Sequence, residues 1–174
     1  QVEAINYINQ QYKKDSTTKF FLLNLPTGVG KSVLALNIAD WYRKNINRTA
    51  RVDIITSNKL LQDQYSNTFD SIADLKGKEN YECSSYSCSC AQGAEFNRLN
   101  KTSCDYCPYS SARDLYMSSG ISLTNFYLYI LYAMYNQKMM EVRDARVLIV
   151  DEAHDFDDVM SSFISIKITE NIVK

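Results

Sequence analysis

Pro26-Thr27-Gly28-Val29-Gly30-Lys31-Ser32 puts a lysine and a hydroxyl directly behind two glycines. Glycines let a backbone wrap closely around phosphate oxygens with its amides pointing inward. A helix starting there adds a partial positive charge. Lys31 would then reach β- and γ-phosphates, and the Ser32 hydroxyl would face Mg²⁺. Leu25 stands where such a loop usually has its first glycine, so the bare pattern is a near miss. The plain alternative is a glycine-rich strand–helix turn.

A second group is Asp151-Glu152-Ala153-His154, which follows the apolar run Val147–Val150. Ligands of parallel sheets sit at the carboxyl ends of strands. Asp151 would position Mg²⁺, Glu152 would orient and deprotonate an attacking water, and His154 is the third candidate for the chemistry. Two acidic residues after a strand also serve as helix caps. Together with a phosphate loop on the same sheet, they read as catalytic.

The third group is Cys83, Cys88, Cys90, Cys104 and Cys107, all five cysteines of the chain. Their spacing is C-x4-C-x-C-x13-C-x2-C. It suits zinc or a 4Fe–4S cluster, and spacing alone does not choose. Either metal would use four thiolates and leave one spare. The chain has a single histidine, so mixed Cys/His zinc sites built on several histidines drop out. The third alternative is no metal at all.

These groups need elements to hold them. Apolar spacing predicts a helix over residues 2–12, and the run 20–25 reads as a buried strand leading into the phosphate loop. A helix over 33–45, a strand over 51–57 and a helix over 59–72 follow. This alternation indicates an α/β domain with a parallel sheet. The rhythm stops near Lys76, and residues 76–107 are polar with no convincing period. A structureless loop of that length is unusual, so something must organise it. Helical character returns at 110–120, then a short strand and an apolar helix over 121–135. Residues 145–150 read as a strand and 163–169 as another.

The chain has 174 residues, 45% hydrophobic and 22% charged, enough for one domain with an insertion. A net charge of −1 argues against a simple nucleic-acid coat. No apolar run is long enough to span a membrane, and no signal-peptide layout is present. An intracellular, reducing location is expected, which disfavours disulfides. Gln1 is not a natural start residue, so the chain is expected to be a piece of a longer protein.

The motifs together resemble the iron–sulfur DNA helicases of superfamily 2, the XPD/DinG-like group. The carrying stretches are "LPTGVGKS", "IITSNKLLQDQ", "KGKENYEC", "CPYSSAR", "SLTNFYLYIL" and "VLIVDEAHDFDDV". The resemblance covers nearly the whole chain in the family's order. It implies a RecA-like P-loop NTPase sheet with helices on both faces, carrying a small Cys-rich metal-cluster insertion. Residues 1–75 and 116–174 would be the two halves of the first motor domain, with its DEAH box, and 76–115 the insertion. The implied cofactors are ATP, Mg²⁺ and a 4Fe–4S cluster. ATP would be held by Pro26, Thr27, Gly28, Val29, Gly30, Lys31, Ser32 and Asp151, with Gln1 reading adenine.

By flanking sequence, Cys83, Cys104 and Cys107 match cluster ligands, and either Cys88 or Cys90 completes the set. The implied activity is 5′→3′ translocation on single-stranded or forked DNA. It would need a second RecA-like domain, which these residues do not contain. Lys76, Lys78, Arg98 and Lys101 are candidate phosphate contacts, and Tyr81 and Tyr86 candidate stacking platforms. Two rivals stand beside this reading. One is a zinc-stabilised P-loop ATPase that is not a helicase, and the other is a catalytically idle nucleic-acid-binding adaptor.

Overall fold

A computed structural model describes residues 2–165 apart from Ser16, Thr18 and Thr27. Helix α1 spans Val2–Lys14, α2 Lys31–Asn45, and strand β1 Arg51–Thr56. Helix α3 (Lys59–Thr68) and the two-residue strand β2 (Ala73–Asp74) follow. Next come α4 (Cys90–Asn100), α5 (Pro108–Ser118), β3 (Ile121–Asn125) and α6 (Phe126–Tyr135). The described chain closes with α7 (Gln137–Arg143), β4 (Ala145–Val150) and α8 (Phe156–Ile164). Single-turn 3₁₀ helices occupy Lys78–Asn80 and Ala153–Asp155.

The four strands form one sheet in the order β2-β3-β1-β4, with every pairing parallel. Helical crossovers make this arrangement possible, and they bury both faces of β1 and β3, while the edge strand β4 leaves Leu148 43% exposed. Successive strand residues point to opposite faces. Ile54 therefore packs with Ala35 of α2 and Tyr65 of α3, while Ile55 packs with Phe126 and Ile130 of α6, beside Phe156 of α8. The RecA-like α/β architecture read from the sequence is thus observed.

Several sequence expectations need correction. The run 20–25 is not a strand: residues 19–26 carry no regular structure, and Phe20 and Leu22 are about nine-tenths exposed. A strand needs a ladder partner, and among the described residues β4 pairs only with β1. The helix expected over 59–72, α3, stops at Thr68, where the Phe69 amide donates to the Tyr65 carbonyl. Phe163 and Ile164 end α8 and do not begin a strand; residues 166–169 lie outside the described residues, as do Gln1 and Thr27. The cysteine-rich stretch is not loop throughout. It contains α4, whose start is fixed by a capping box between Ser89 and Gln92.

A buried ion pair fastens the amino-terminal end of the sheet. Arg143 and Asp53 are both fully buried, 2.8 Å apart. The Tyr116 hydroxyl donates to the other Asp53 oxygen at 3.0 Å. Arg143 also donates to the Ser119 carbonyl at 2.5 Å and to Ser122 Oγ at 3.0 Å. Burial nevertheless pushes the Asp53 carboxyl up from its ordinary value, against the pull of Arg143 and Tyr116.

Candidate functional site

The phosphate loop reaches α2 through two residues in left-handed backbone. Gly28 and Gly30 both have φ 80°, a region open to glycine at no steric cost. Gly30 is the cap of α2, and its carbonyl accepts the first helical bond, from Leu34 at 3.0 Å. Lys31 and Ser32 thus form the first turn of α2, where the helix dipole favours an anion.

The acidic motif arrives from β4. The Asp151 amide donates to the Ile55 carbonyl at 2.9 Å, extending the β1–β4 ladder one residue beyond the strand. This fixes Asp151 at the carboxyl end of the sheet, with 9% of its surface exposed. Glu152 then takes φ 55°, ψ 49°, a left-handed conformation that non-glycine residues seldom adopt. Such backbone strain clusters at functional sites. Its carboxylate reaches Lys31, with Nζ to Oε1 at 2.8 Å. The hydrogen bond from Lys31 to Glu152 raises the ammonium's pKa, burial opposing and the charges of Glu152 and Asp151 reinforcing.

The structure therefore brings together Gly28, Gly30, Lys31, Ser32, Asp151 and Glu152, from two stretches more than a hundred residues apart. Pro26 and Val29 are exposed around the same loop. His154 is at the rim, its side chain 74% exposed. Its Nδ1 lies 3.4 Å from Glu152 and its Nε2 3.3 Å from Asp155. One participant escaped the sequence reading: Tyr65 of α3, whose hydroxyl donates to Asp151 Oδ2 at 2.8 Å. An aromatic residue on an amphipathic helix reads as core, and only the fold shows where its hydroxyl ends.

Gln62, one turn before Tyr65, is also fully buried. It donates to Asp74 at 2.5 Å and to the Leu75 carbonyl at 2.9 Å, and accepts from Asn125 at 3.2 Å. The glutamine of "KLLQ" thus ties α3 to the ends of β2 and β3.

The cysteine module sits at the β2–β3 edge. Its Tyr81, Cys83, Cys90, Cys107 and Tyr109 pack with Leu75, Tyr116 and Tyr132 in one apolar cluster. Cys83 Sγ lies 3.7 Å from Cys104 Sγ and hydrogen-bonds Cys88. Cys90 is buried and hydrogen-bonds Cys107. Gly93 of α4 leaves room for this gathering, since a Cβ there would stand 2.5 Å from Cys83 Sγ. An open pocket of about 580 Å³ is lined by residues 82–88.

Two thiols are shifted towards the thiolate. Hydrogen bonds from Ser85 and Asn97 lower Cys104, the latter at 3.0 Å. Burial opposes the shift at Cys107, where hydrogen bonds from Ser110 prevail. Burial raises Cys88 and Cys90. Among the described residues no group of three or more His, Cys, Asp and Glu side chains is placed to hold a metal ion. Neither zinc nor a 4Fe–4S cluster, each of which takes four thiolates, finds that donor set gathered here. The thiols meet only in pairs, Cys83 with Cys104 or Cys88 and Cys90 with Cys107.

The expected nucleic-acid contacts fare unevenly. Lys76 is taken by Asp63 at 2.5 Å and Asp74 at 3.3 Å. Lys78 lies 5.4 Å from the Tyr109 ring centroid. Tyr81 packs on Tyr109 and accepts from the Lys76 amide, and Tyr86 packs on Phe96 and donates to Asn97. Both tyrosines are half-buried, and Tyr86 also lines the open pocket. Arg98 and Lys101 remain exposed on α4 and its cap.

No described helix is long and apolar enough to cross a membrane. The sequence model of a family described as type III restriction enzyme, res subunit, matches residues 1–173 of the chain. No curated protein and no solved structure matches it.

Proposed function

We infer the function from one premise: the chain belongs to the type III restriction enzyme res-subunit family, a superfamily 2 helicase N-terminal domain. It is therefore an ATP-dependent, helicase-type nucleotide-binding domain that uses ATP and Mg²⁺ and acts on nucleic acid. The residue roles and the finer activity are our proposal. One observation carries it: the phosphate loop and the acidic motif meet at the carboxyl end of the sheet, Lys31 against Glu152 at 2.8 Å.

In this reading Lys31 leaves Glu152 when nucleotide arrives and binds the β- and γ-phosphates. Glu152, freed of its partner, orients the attacking water and takes its proton. Mg²⁺, when bound, neutralises charge developing on the phosphoryl oxygens. Ser32 and Asp151 would hold Mg²⁺, and the backbone amides of Gly28 to Ser32 would receive the phosphates. His154, at the rim, contacts Glu152 and Asp155 and is best placed to tune Glu152. Gln1 and Thr27 keep the adenine and phosphate roles that the resemblance implies.

The finer reading is a DNA helicase of the XPD/DinG-like group, moving 5′→3′ on single-stranded or forked DNA with a second RecA-like domain. Residues 76–115 are its cluster insertion between the two halves of the motor domain. What supports this is the order of the motifs and the pairwise closeness of the thiols within one module. Cys83, Cys104 and Cys107, with Cys88 or Cys90, would hold a 4Fe–4S cluster. When bound, that group would brace the module through its thiolates.

Two measurements test the proposal. In a turnover assay with single-stranded DNA, Glu152→Gln should bind Mg·ATP like the wild type and hydrolyse none. Hydrolysis by Glu152→Gln equal to a measurable wild-type rate would refute the role of Glu152. Anaerobic purification with iron, sulfide and zinc analysis tests the cluster. Four irons and four sulfides per chain support it; a colourless protein with stoichiometric zinc would reject it.

A further inference from the structure

We propose that Tyr65 is a positioning residue for the divalent cation, holding Asp151 and Ser32 in the relation that Mg²⁺ binding requires. The inference rests on the reading of residues 26–32 and 151–152 as a Mg·nucleotide site.

Tyr65 is fully buried, with its ring against Ile54, Leu123 and Phe69. A ring packed this way cannot swing, so the hydroxyl has one place to be. That place lies between Asp151 and Ser32, the two groups that would hold the cation. The hydroxyl donates to Asp151 Oδ2 at 2.8 Å and is hydrogen-bonded to the side chain of Ser32. One Asp151 oxygen is thereby engaged, leaving Oδ1 as the oxygen to address the cation or its water. The backbone of Asp151 is fixed independently by its bond to Ile55. Asp151 thus has its main chain set by β1 and its carboxylate orientation set by α3.

Groups that hold a metal-facing carboxylate by a second hydrogen bond tune metal affinity strongly, by about 10–100-fold when removed. Core packing alone would explain a phenylalanine at this position but not the hydroxyl.

The test is Tyr65→Phe in the 174-residue chain, with binding of a fluorescent ATP analogue measured with and without Mg²⁺. The ratio of the two affinities is taken within each variant, so it does not depend on the folded fraction. Phenylalanine keeps the buried ring, and the melting temperature serves as the control for packing. The expected result is unchanged binding without Mg²⁺ and about a tenfold smaller gain from Mg²⁺. A Mg²⁺ gain equal to that of the wild type would overturn the role of Tyr65 while leaving the nucleotide site standing. Absence of any Mg²⁺ gain in the wild type would overturn the site and this inference together.

Discussion

Replacing Arg143 with methionine removes the cation from the most heavily bonded buried group in the fold. Asp53, fully buried beside it, would keep only the Tyr116 hydroxyl as a side-chain donor. The Ser119 and Val52 carbonyls and Ser122 Oγ would each lose a donor too. Breaking a buried pair by removing one partner costs about 3–5 kcal/mol, because the other charge is stranded. At about 2–4 °C per kcal/mol for a chain of this size, the melting temperature should fall by about 6–20 °C.

Arg143→Met with Asp53→Leu removes both charges, and a well-packed apolar replacement is often neutral or better. The double variant should therefore recover most of the loss. Differential scanning calorimetry of the wild type, both single variants and the double variant gives the cycle. A loss below about 1 kcal/mol in the single variant, or a double variant no better than the single, would refute the reasoning. Nucleotide binding below the melting temperature should be unchanged, since the clamp lies at the amino-terminal end of β1 and the site at the carboxyl end.

Gly93→Ala should loosen the cysteine module. The gain from helix propensity is under about 1 kcal/mol, while overpacking against Cys83 costs about 1–3 kcal/mol. Mass-spectrometric alkylation of Cys83 should speed up, and an unchanged rate would count against the contact. Asp63→Asn should cost about 0.5 kcal/mol at pH 7, as expected for a part-exposed bridge. The hydrogen bond from Lys76 depresses the folded pKa of Asp63. Its contribution is therefore present above the unfolded carboxylate value and lost as pH falls through the lower, folded one. Urea titrations should show the wild-type advantage shrinking on acidification, and an advantage growing towards acid pH would contradict the sign.

The parts legible in the sequence were those with a local signature. Gly28 and Gly30 announce backbone that other residues avoid, and Lys31 and Ser32 come directly behind them. Val147–Val150 reads as a buried strand; it is a strand, with Asp151 at the end where ligands bind, but it lies at the sheet edge with Leu148 43% exposed. The failures share a cause, which is that the deciding partner is distant. Residues 20–25 are apolar enough for a strand, but a strand is made by its neighbour, and none of the described strands pairs with them. Asp53 lies inside the strand run "RVDIIT", and its partner Arg143 is ninety residues away. Tyr65 carried no signal at all, because burial and a polar task look the same in one letter. Helix α4 hid within a polar run, its start marked only by the Ser89–Gln92 pair.

The central claim is that residues 26–32 and 151–152 form one Mg·nucleotide site, and titration calorimetry of Mg·ATP into the wild type and Lys31→Ala tests it most directly. The structure predicts one site per chain in the wild type and at least about a tenfold loss of affinity in Lys31→Ala, the value of one charge-assisted phosphate contact. Equal affinity in the two proteins, or no binding by a folded wild type, would contradict it.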